Sequence, residues 1–174
     1  MLASVPAAAR WLGLSGLIPF YAPPIAIFTL PLFTTDPSAI VGYGVVLVGV
    51  QLAYAAVIIS FLGAVHWGLV LSETIAVGGA FTTTSGWAGA PARLIWSVTP
   101  SLGALAALLV FQVTLNGSLG LVMMAGWLVA CFVYDRWAVA KRFAPPWYLE
   151  LRKVLTAAAL VSLALTVAAA AAVG

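Results

Sequence analysis

The chain has 174 residues, of which 64% are hydrophobic and only 6% are charged. A water-soluble core of this size cannot bury so much apolar surface, so the composition excludes a soluble globular protein and predicts one that lies in a lipid membrane. The formal net charge of +3 comes from seven basic residues set among apolar runs, which favours contact with anionic lipid headgroups and excludes nucleic acid as a partner.

Hydropathy along the chain predicts an all-α fold, in which residues 1–174 form a single domain with five transmembrane helices. Turn-forming residues separate several of these helices, namely Asp36-Pro37-Ser38 and Asn116-Gly117-Ser118. Residues 72–92, rich in glycine, serine and threonine, are predicted to form one long loop. The predicted spans are residues 11–32, 41–71, 94–113, 119–137 and 154–173.

The first span contains several prolines, which remove backbone donors and bend helices. We therefore expect residues 18–24 to be kinked or locally unwound, and we expect the carbonyl groups freed there to find partners elsewhere in the bundle.

The second span carries His66, the single histidine of the chain, inside an apolar run of roughly 46 Å at the rise of an α-helix. An ionisable side chain at membrane depth predicts a functional site. Gly63, one turn earlier, is expected to leave room beside the imidazole for a partner or a ligand. One helix face carries a ridge of small residues that predicts close helix packing, at Ala56, Ser60, Ala64 and Gly68. The opposite face forms a sparse polar seam, at Gln51, Ala55, Ile59, Leu62, His66, Val70 and Glu73.

Both faces of the second span therefore have a predicted role, which places this helix centrally in the bundle.

With five spans, every lysine and arginine falls on the side of the N-terminus and of the second and fourth connections. The positive-inside rule then predicts a cytoplasmic N-terminus and a periplasmic C-terminus. The basic residues expected at lipid headgroups are Arg136, Lys141, Arg142, Arg152 and Lys153.

This topology brings titratable and aromatic residues from separate segments to the cytoplasmic end of the bundle, and they form the candidate ligand-binding set. Its members are His66, Trp67, Glu73, Trp96, Tyr134, Asp135 and Trp147. The alternative interpretation of His66 is structural, as a histidine hydrogen-bonded within the bundle.

The residues around His66 in the sequence limit its chemistry. The spacing needed for a metal site is absent, and so is a nucleophile with an adjacent base, so neither a metal site nor a catalytic residue is predicted. A single imidazole could serve as an axial ligand to a haem or chlorophyll, and a role as general acid or base stays open. The protein is expected not to be an enzyme, and the sequence identifies no particular cofactor.

Five pieces of sequence resemble one known family. The pieces are residues 12–20 (LGLSGLIPF), 60–68 (SFLGAVHWG), 96–102 (WSVTPSL), 134–136 (YDR) and 146–148 (PWY) with Leu151-Arg152 and Leu155-Thr156. Together they resemble the family of small bacterial membrane proteins of unknown function that includes mitochondrial transmembrane protein 69. Ala64 stands where the resemblance leads us to expect a second glycine. The resemblance implies a five-helix protein of the bacterial or mitochondrial inner membrane and implies no activity.

Two functions follow as hypotheses. The first is a non-enzymatic accessory or assembly subunit of a larger respiratory or photosynthetic complex in the bacterial inner membrane, with the lipid membrane and a larger complex or a second copy as partners. The alternative is a binder or carrier of a small amphipathic ligand, such as a quinone, a lipid or a tetrapyrrole, in a cytoplasmic-side cleft around His66.

Overall fold

A computed structural model describes residues 2–76 and 89–173, and within these ranges the secondary structure is helical, with no β-strand. Five helical segments are long and apolar enough to cross a membrane, which confirms the prediction of an all-α protein with five spans. The elements are α1 (Ala7–Ser15), α2 (Ile18–Thr29) followed by a 3-10 turn (Leu30–Leu32), α3 (Pro37–Ala76), α4 (Ala90–Thr114), α5 (Gly117–Ala140) and α6 (Pro146–Val173).

The first span is broken into α1 and α2, and the break falls at residues 16–17. The predicted segment, residues 18–24, is itself helical, and the break lies in the two residues directly before it. Pro24 lies inside α2 and has no N–H to donate to the carbonyl of Phe20, four residues earlier. That carbonyl instead accepts from Nε2 of Gln51 at 3.0 Å and from Oγ of Ser162 at 2.6 Å. The expected partners for a freed carbonyl are therefore provided by α3 and α6.

Helix α3 is the central element, as predicted, and it contacts α2, α4, α5 and α6. Its first turn is capped by Asp36, whose Oδ1 accepts from the backbone N–H of Ser38 at 2.9 Å and from its hydroxyl at 2.8 Å. Its 40 residues extend for about 60 Å, twice the hydrocarbon thickness of a bilayer. The predicted polar seam faces inward, and its members from Gln51 to Val70 are all buried.

Helices α3 and α4 approach each other closely at Gly63, where a Cβ atom would overlap the carbonyl oxygen of Ser97. The predicted ridge packs only in part, since Ala56 is buried and Ser60 is half-buried. Ala64 and Gly68 are exposed, and a Cβ atom at Gly68 would meet nothing within 4 Å. Within the described ranges Ala64 and Gly68 face outward, because the helix turns its Gly63 face toward α4, and close packing at these two residues stays a prediction.

The connections from α4 to α5 and from α5 to α6 are short. Leu115 adopts a left-handed conformation with φ of 53° at the end of α4, and the side chain of Asn116 then accepts from the backbone N–H of Leu119 to cap α5. Helix α3 continues to Ala76 and α4 begins at Ala90, so the helices occupy both ends of the predicted loop at 72–92. The rest of that loop lies outside the described residues.

Candidate functional site

His66 forms a buried hydrogen bond with Asp135. Nε2 of His66 lies 2.9 Å from Oδ1 of Asp135, and the two side chains are 2% and 1% exposed. His66 comes from the inward face of α3, and Asp135 comes from the last turns of α5. Because a carboxylate only accepts, we assign the proton to Nε2, which donates to Asp135.

Two residues of α6 complete the surroundings of Asp135. Nε of Arg152 donates to Oδ2 at 2.6 Å, and the hydroxyl of Tyr148 donates to Oδ1 at 3.3 Å. Tyr148 and Arg152 are four residues apart and therefore share one face of the helix. We refer to His66, Asp135, Tyr148 and Arg152 as the Asp135 cluster.

The Asp135 cluster joins three helices through one negative charge. An isolated carboxylate in a low-dielectric interior is strongly disfavoured, but here three donors and one opposite charge surround it. Losing one partner of a buried ion pair typically costs about 3–5 kcal/mol, because the other charge stays buried without compensation. Asp135 therefore holds α3, α5 and α6 at fixed positions relative to one another.

A second ion pair lies at the same end of the bundle. Arg93 of α4 donates from Nη1 and Nη2 to the two carboxylate oxygens of Glu73 on α3, at 2.6 and 2.9 Å. The Arg93 side chain is 1% exposed, and its guanidinium carbon lies 3.8 Å from the centre of the Phe143 ring. This two-bond contact joins α3 to α4 and uses both carboxylate oxygens of Glu73.

Aromatic rings fill the space between the two ion pairs. The ring of Tyr134 stacks on Trp96 with centroids 4.3 Å apart, and it meets the edge of His66 at 4.7 Å. Trp137 packs against Tyr134 at 4.9 Å. The ring of Tyr134 thus contacts His66, and the ring of Trp96 packs on the ring of Tyr134. Neither the hydroxyl of Tyr134 nor Nδ1 of His66 has a hydrogen-bond partner within the described ranges.

The room expected beside the His66 imidazole is occupied. The backbone of α4 passes against Gly63, where a Cβ atom would overlap the Ser97 carbonyl. The His66 side chain is 2% exposed, with Nε2 bonded to Asp135 and its ring against Tyr134. Among residues 2–76 and 89–173, no three side chains of His, Cys, Asp or Glu lie close enough together to hold a metal ion.

A cavity of about 390 Å³ lies on the other side of the Asp135 cluster. Residues of α1, α2, α3, α5 and α6 line it, and nearly all of the lining is apolar. The polar side chains come from one stretch of α6, and they are Trp147, Tyr148, Arg152 and Thr156. His66 is not part of the lining, and it reaches the cavity only through Asp135 and Arg152.

Two polar atoms in residues that line the cavity lack partners in the described part of the chain. They are Nη2 of Arg152 and Oγ1 of Thr156, both buried. The parent residues are 4% and 5% exposed and lie one turn apart on α6. A buried donor without a partner costs about 1–3 kcal/mol, more when it is charged, so a hydrogen-bond acceptor reaching either residue would stabilise it.

The members of the predicted ligand-binding set lie in four places. His66 and Asp135 belong to the Asp135 cluster, with Trp96 and Tyr134 packed beside it, and Trp147 lines the cavity. Glu73 is engaged by Arg93. Trp67 is 45% exposed on the outer side of α3 and has no place in the cluster or in the cavity lining.

Sequence reasoning missed Tyr148 and Thr156 and gave Arg152 the wrong role. Arg152 was expected at the lipid headgroups, but it is buried against Asp135 because the carboxylate attracts it inward. Arg136, Lys141 and Arg142 are exposed, and Lys153 is exposed with Nζ 2.8 Å from Oε1 of Glu150. The available signal was spacing: Tyr148, Arg152 and Thr156 recur every four residues and so share one helix face.

Comparison with known proteins agrees with the resemblance seen in the sequence. A family model described as "Protein of unknown function (DUF3429)" matches residues 5–168. Transmembrane protein 69 of Xenopus tropicalis is 31% identical over 167 residues, which cover 93% of this chain and 54% of that protein. The chain thus spans about half the length of this relative, and no solved structure matches it. The chain is a membrane protein that belongs to the DUF3429 family, a family of unknown function that includes transmembrane protein 69.

Proposed function

We propose that the protein binds a small amphipathic ligand in the cavity beside the Asp135 cluster. The observation that carries this proposal is that Arg152 and Thr156 line an otherwise apolar cavity. Each also carries a buried polar atom, Nη2 and Oγ1, that has no hydrogen-bond partner within the described part of the chain. Ligand sites are commonly apolar cavities with a few convergent polar groups. The volume of about 390 Å³ is within the usual range for such sites.

The ligand reaches the cavity from the lipid. Leu12 of α1 and Phe61 of α3 border the cavity, and they are 74% and 63% exposed on helices apolar enough to span a membrane. A mouth edged by such side chains admits an apolar molecule laterally, between α1 and α3. The polar end then meets Arg152 and Thr156, and the apolar body lies along α1, α2 and α3.

The alternative function expected from the sequence is refined in one respect. The expected cleft was around His66, whereas the proposed site lies at Arg152, with His66 behind it as a support for Asp135. The role as an accessory or assembly subunit of a larger complex stays a prediction. The outward small-residue positions Ala64 and Gly68 are where a partner helix would contact α3.

The orientation and the membrane are part of the same proposal. The ion pairs Glu73–Arg93 and Asp135–Arg152 lie at the end of the bundle where the basic connections meet, and we place this end in the cytoplasm on the strength of the positive-inside rule. A location in a bacterial inner membrane rests on the composition and on the family resemblance.

The test uses the full chain, extracted in a mild detergent from membranes at native expression and examined by native mass spectrometry. We expect a small-molecule adduct on the wild-type protein. Ala9→Phe should remove the adduct, because residue 9 lines the cavity and a phenyl ring there would occupy it. Ala8→Phe is the matched control, because residue 8 is exposed on the same helix and outside the lining. Equal adduct levels on both variants, or none on the wild type after lipid addition, would refute the proposal.

A further inference from the structure

We propose that the head group of the ligand is an anion, so that the ligand class is an acidic amphiphile: an anionic oxygen head on an apolar tail. This inference rests on the proposed function, because it describes the chemistry of the same cavity. It starts from a count of the negative charges in the chain. There are four acidic residues, and each has a defined position in the structure: Asp36, Glu73, Asp135 and Glu150.

Three of these carboxylates are not available to pair with Arg152. Asp36 accepts from Ser38 in the connection before α3, Glu73 is held by Arg93 through both oxygens, and Glu150 bonds Lys153. Residues 77–88, outside the described ranges, contain neither Asp nor Glu. No further side-chain carboxylate of the protein is therefore available to the free edge of Arg152.

The fourth carboxylate, Asp135, is shared. Its Oδ2 binds Nε of Arg152, while its Oδ1 receives both His66 and Tyr148. The single negative charge is thus shared by three donors, and its hydrogen bond to the guanidinium is made with Nε. Nη2, which faces no partner in the described residues, belongs to a delocalised cation that donates and never accepts.

The chemistry of the wall selects the charge of the ligand. A guanidinium edge matches the geometry of carboxylate and phosphate oxygens, and the opposite charges add an attraction that a neutral carbonyl does not provide. In an apolar cavity this difference grows, since there is little water to compete. The hydroxyl of Thr156, one turn along α6, can donate to a second oxygen of the same head group. An alcohol or an amine offers Arg152 a weaker acceptor or none.

The volume favours one short chain. About 390 Å³ holds roughly a dozen non-hydrogen atoms, if each takes the volume of a water molecule in the liquid. Decanoate, with ten carbons and two oxygens, matches that size. An acidic phospholipid would place its head and part of one tail in the cavity, with the rest passing between Leu12 and Phe61 into the bilayer.

The experiment compares decanoate with decanol on the full-length protein in nanodiscs of zwitterionic phosphatidylcholine, by equilibrium dialysis of labelled probes. We expect decanoate to bind at least tenfold more tightly than decanol, and binding of both probes to be reduced by Ala9→Phe. Arg152→Gln should bring the two affinities within about twofold, and Thr156→Val should reduce the ratio while keeping the side-chain volume. Lys153→Gln, next to Arg152 but exposed, should leave the ratio unchanged.

The outcomes separate the two proposals. Binding of both probes with equal affinity, blocked by Ala9→Phe, would keep the cavity as a ligand site and refute the anionic head group. If Ala9→Phe blocks the binding of neither probe, the proposed function itself is refuted. Nanodiscs with added phosphatidylglycerol distinguish the two kinds of anionic ligand. Displacement of decanoate assigns the site to an acidic phospholipid, and unchanged decanoate binding assigns it to a free carboxylate. If Arg152→Gln fails to fold, the wild-type ratio and Thr156→Val decide.

Discussion

His66 and Asp135 are 69 residues apart in the chain, yet Nε2 of one lies 2.9 Å from Oδ1 of the other inside the bundle. The contact joins the middle of the chain to the end of α5, and the other oxygen of the same carboxylate holds α6 through Arg152. One charged residue thus contacts side chains of two other helices and holds Arg152, which lines the cavity.

Asp135→Asn should destabilise the protein by about 3–5 kcal/mol, because it leaves the Arg152 charge buried without its partner. Thermal unfolding in detergent measures this as a lowered Tm. The double variant Asp135→Asn/Arg152→Gln should regain part of the loss, since it removes both charges. Glu150→Gln is the control at an exposed ion pair and should change the free energy of unfolding by less than about 1 kcal/mol. A Tm of Asp135→Asn equal to that of Glu150→Gln would show that the cluster contributes no stability.

His66→Leu should cost about 1.5–3 kcal/mol, the usual value of a hydrogen bond to a charged group. His66→Gln should cost less, because the amide N–H of glutamine can donate to Asp135. Decanoate binding should persist in His66→Gln, since His66 does not line the cavity. Trp67→Leu, on the exposed side of the same helix, serves as the control for stability. Loss of binding in a stable His66→Gln protein would mean that His66 touches the ligand.

Gly63→Ala should destabilise the bundle by about 1–3 kcal/mol, because a methyl group at residue 63 overlaps the Ser97 carbonyl and forces α3 and α4 apart. Gly68→Ala should leave the Tm in detergent within experimental error or raise it slightly, since its Cβ meets nothing within 4 Å. The two substitutions are chemically identical and lie on one helix, so the comparison isolates the packing. A larger loss for Gly68→Ala would place a second copy or another subunit against that face.

Gln51→Leu should cost about 1 kcal/mol or more, because the Phe20 carbonyl loses one of its two donors. Pro24→Ala restores an N–H that can bond that carbonyl within α2, so Gln51→Leu should be less harmful when combined with Pro24→Ala. A double-mutant cycle on the free energy of unfolding tests this coupling. Additive effects would show that Gln51 does not compensate for the proline.

Reporter fusions test the orientation. We expect fusions within residues 77–89 and residues 141–145 to be active as cytoplasmic reporters, and a fusion after α6 to be active as a periplasmic one, because the lysines and arginines flank the first two sites. Removing Lys141 and Arg142, basic residues of the fourth connection, should weaken the preference for this membrane orientation. A periplasm-active reporter at 141–145 would reverse the orientation.

The fold class and the five spans follow from the sequence alone, because continuous apolar runs long enough to cross a bilayer are stable there as helices. The sequence also identified the buried polar face of α3, since Gln51 and His66 recur with apolar residues at helical spacing. It singled out His66 and Asp135 because charged groups inside apolar runs are costly and need partners.

The partners themselves were decided by tertiary structure. Arg152 resembles a headgroup anchor in the sequence, because it precedes the last apolar run beside Lys153. Only the packing of α5 against α6 brings Asp135 within 2.6 Å and turns Arg152 inward. Likewise, Gly63 and Gly68 are both compatible with a packed helix face, and the rotation of α3 toward α4 selects Gly63. Spacing along one helix defines its faces, but which neighbour meets each face depends on contacts between segments far apart in the chain.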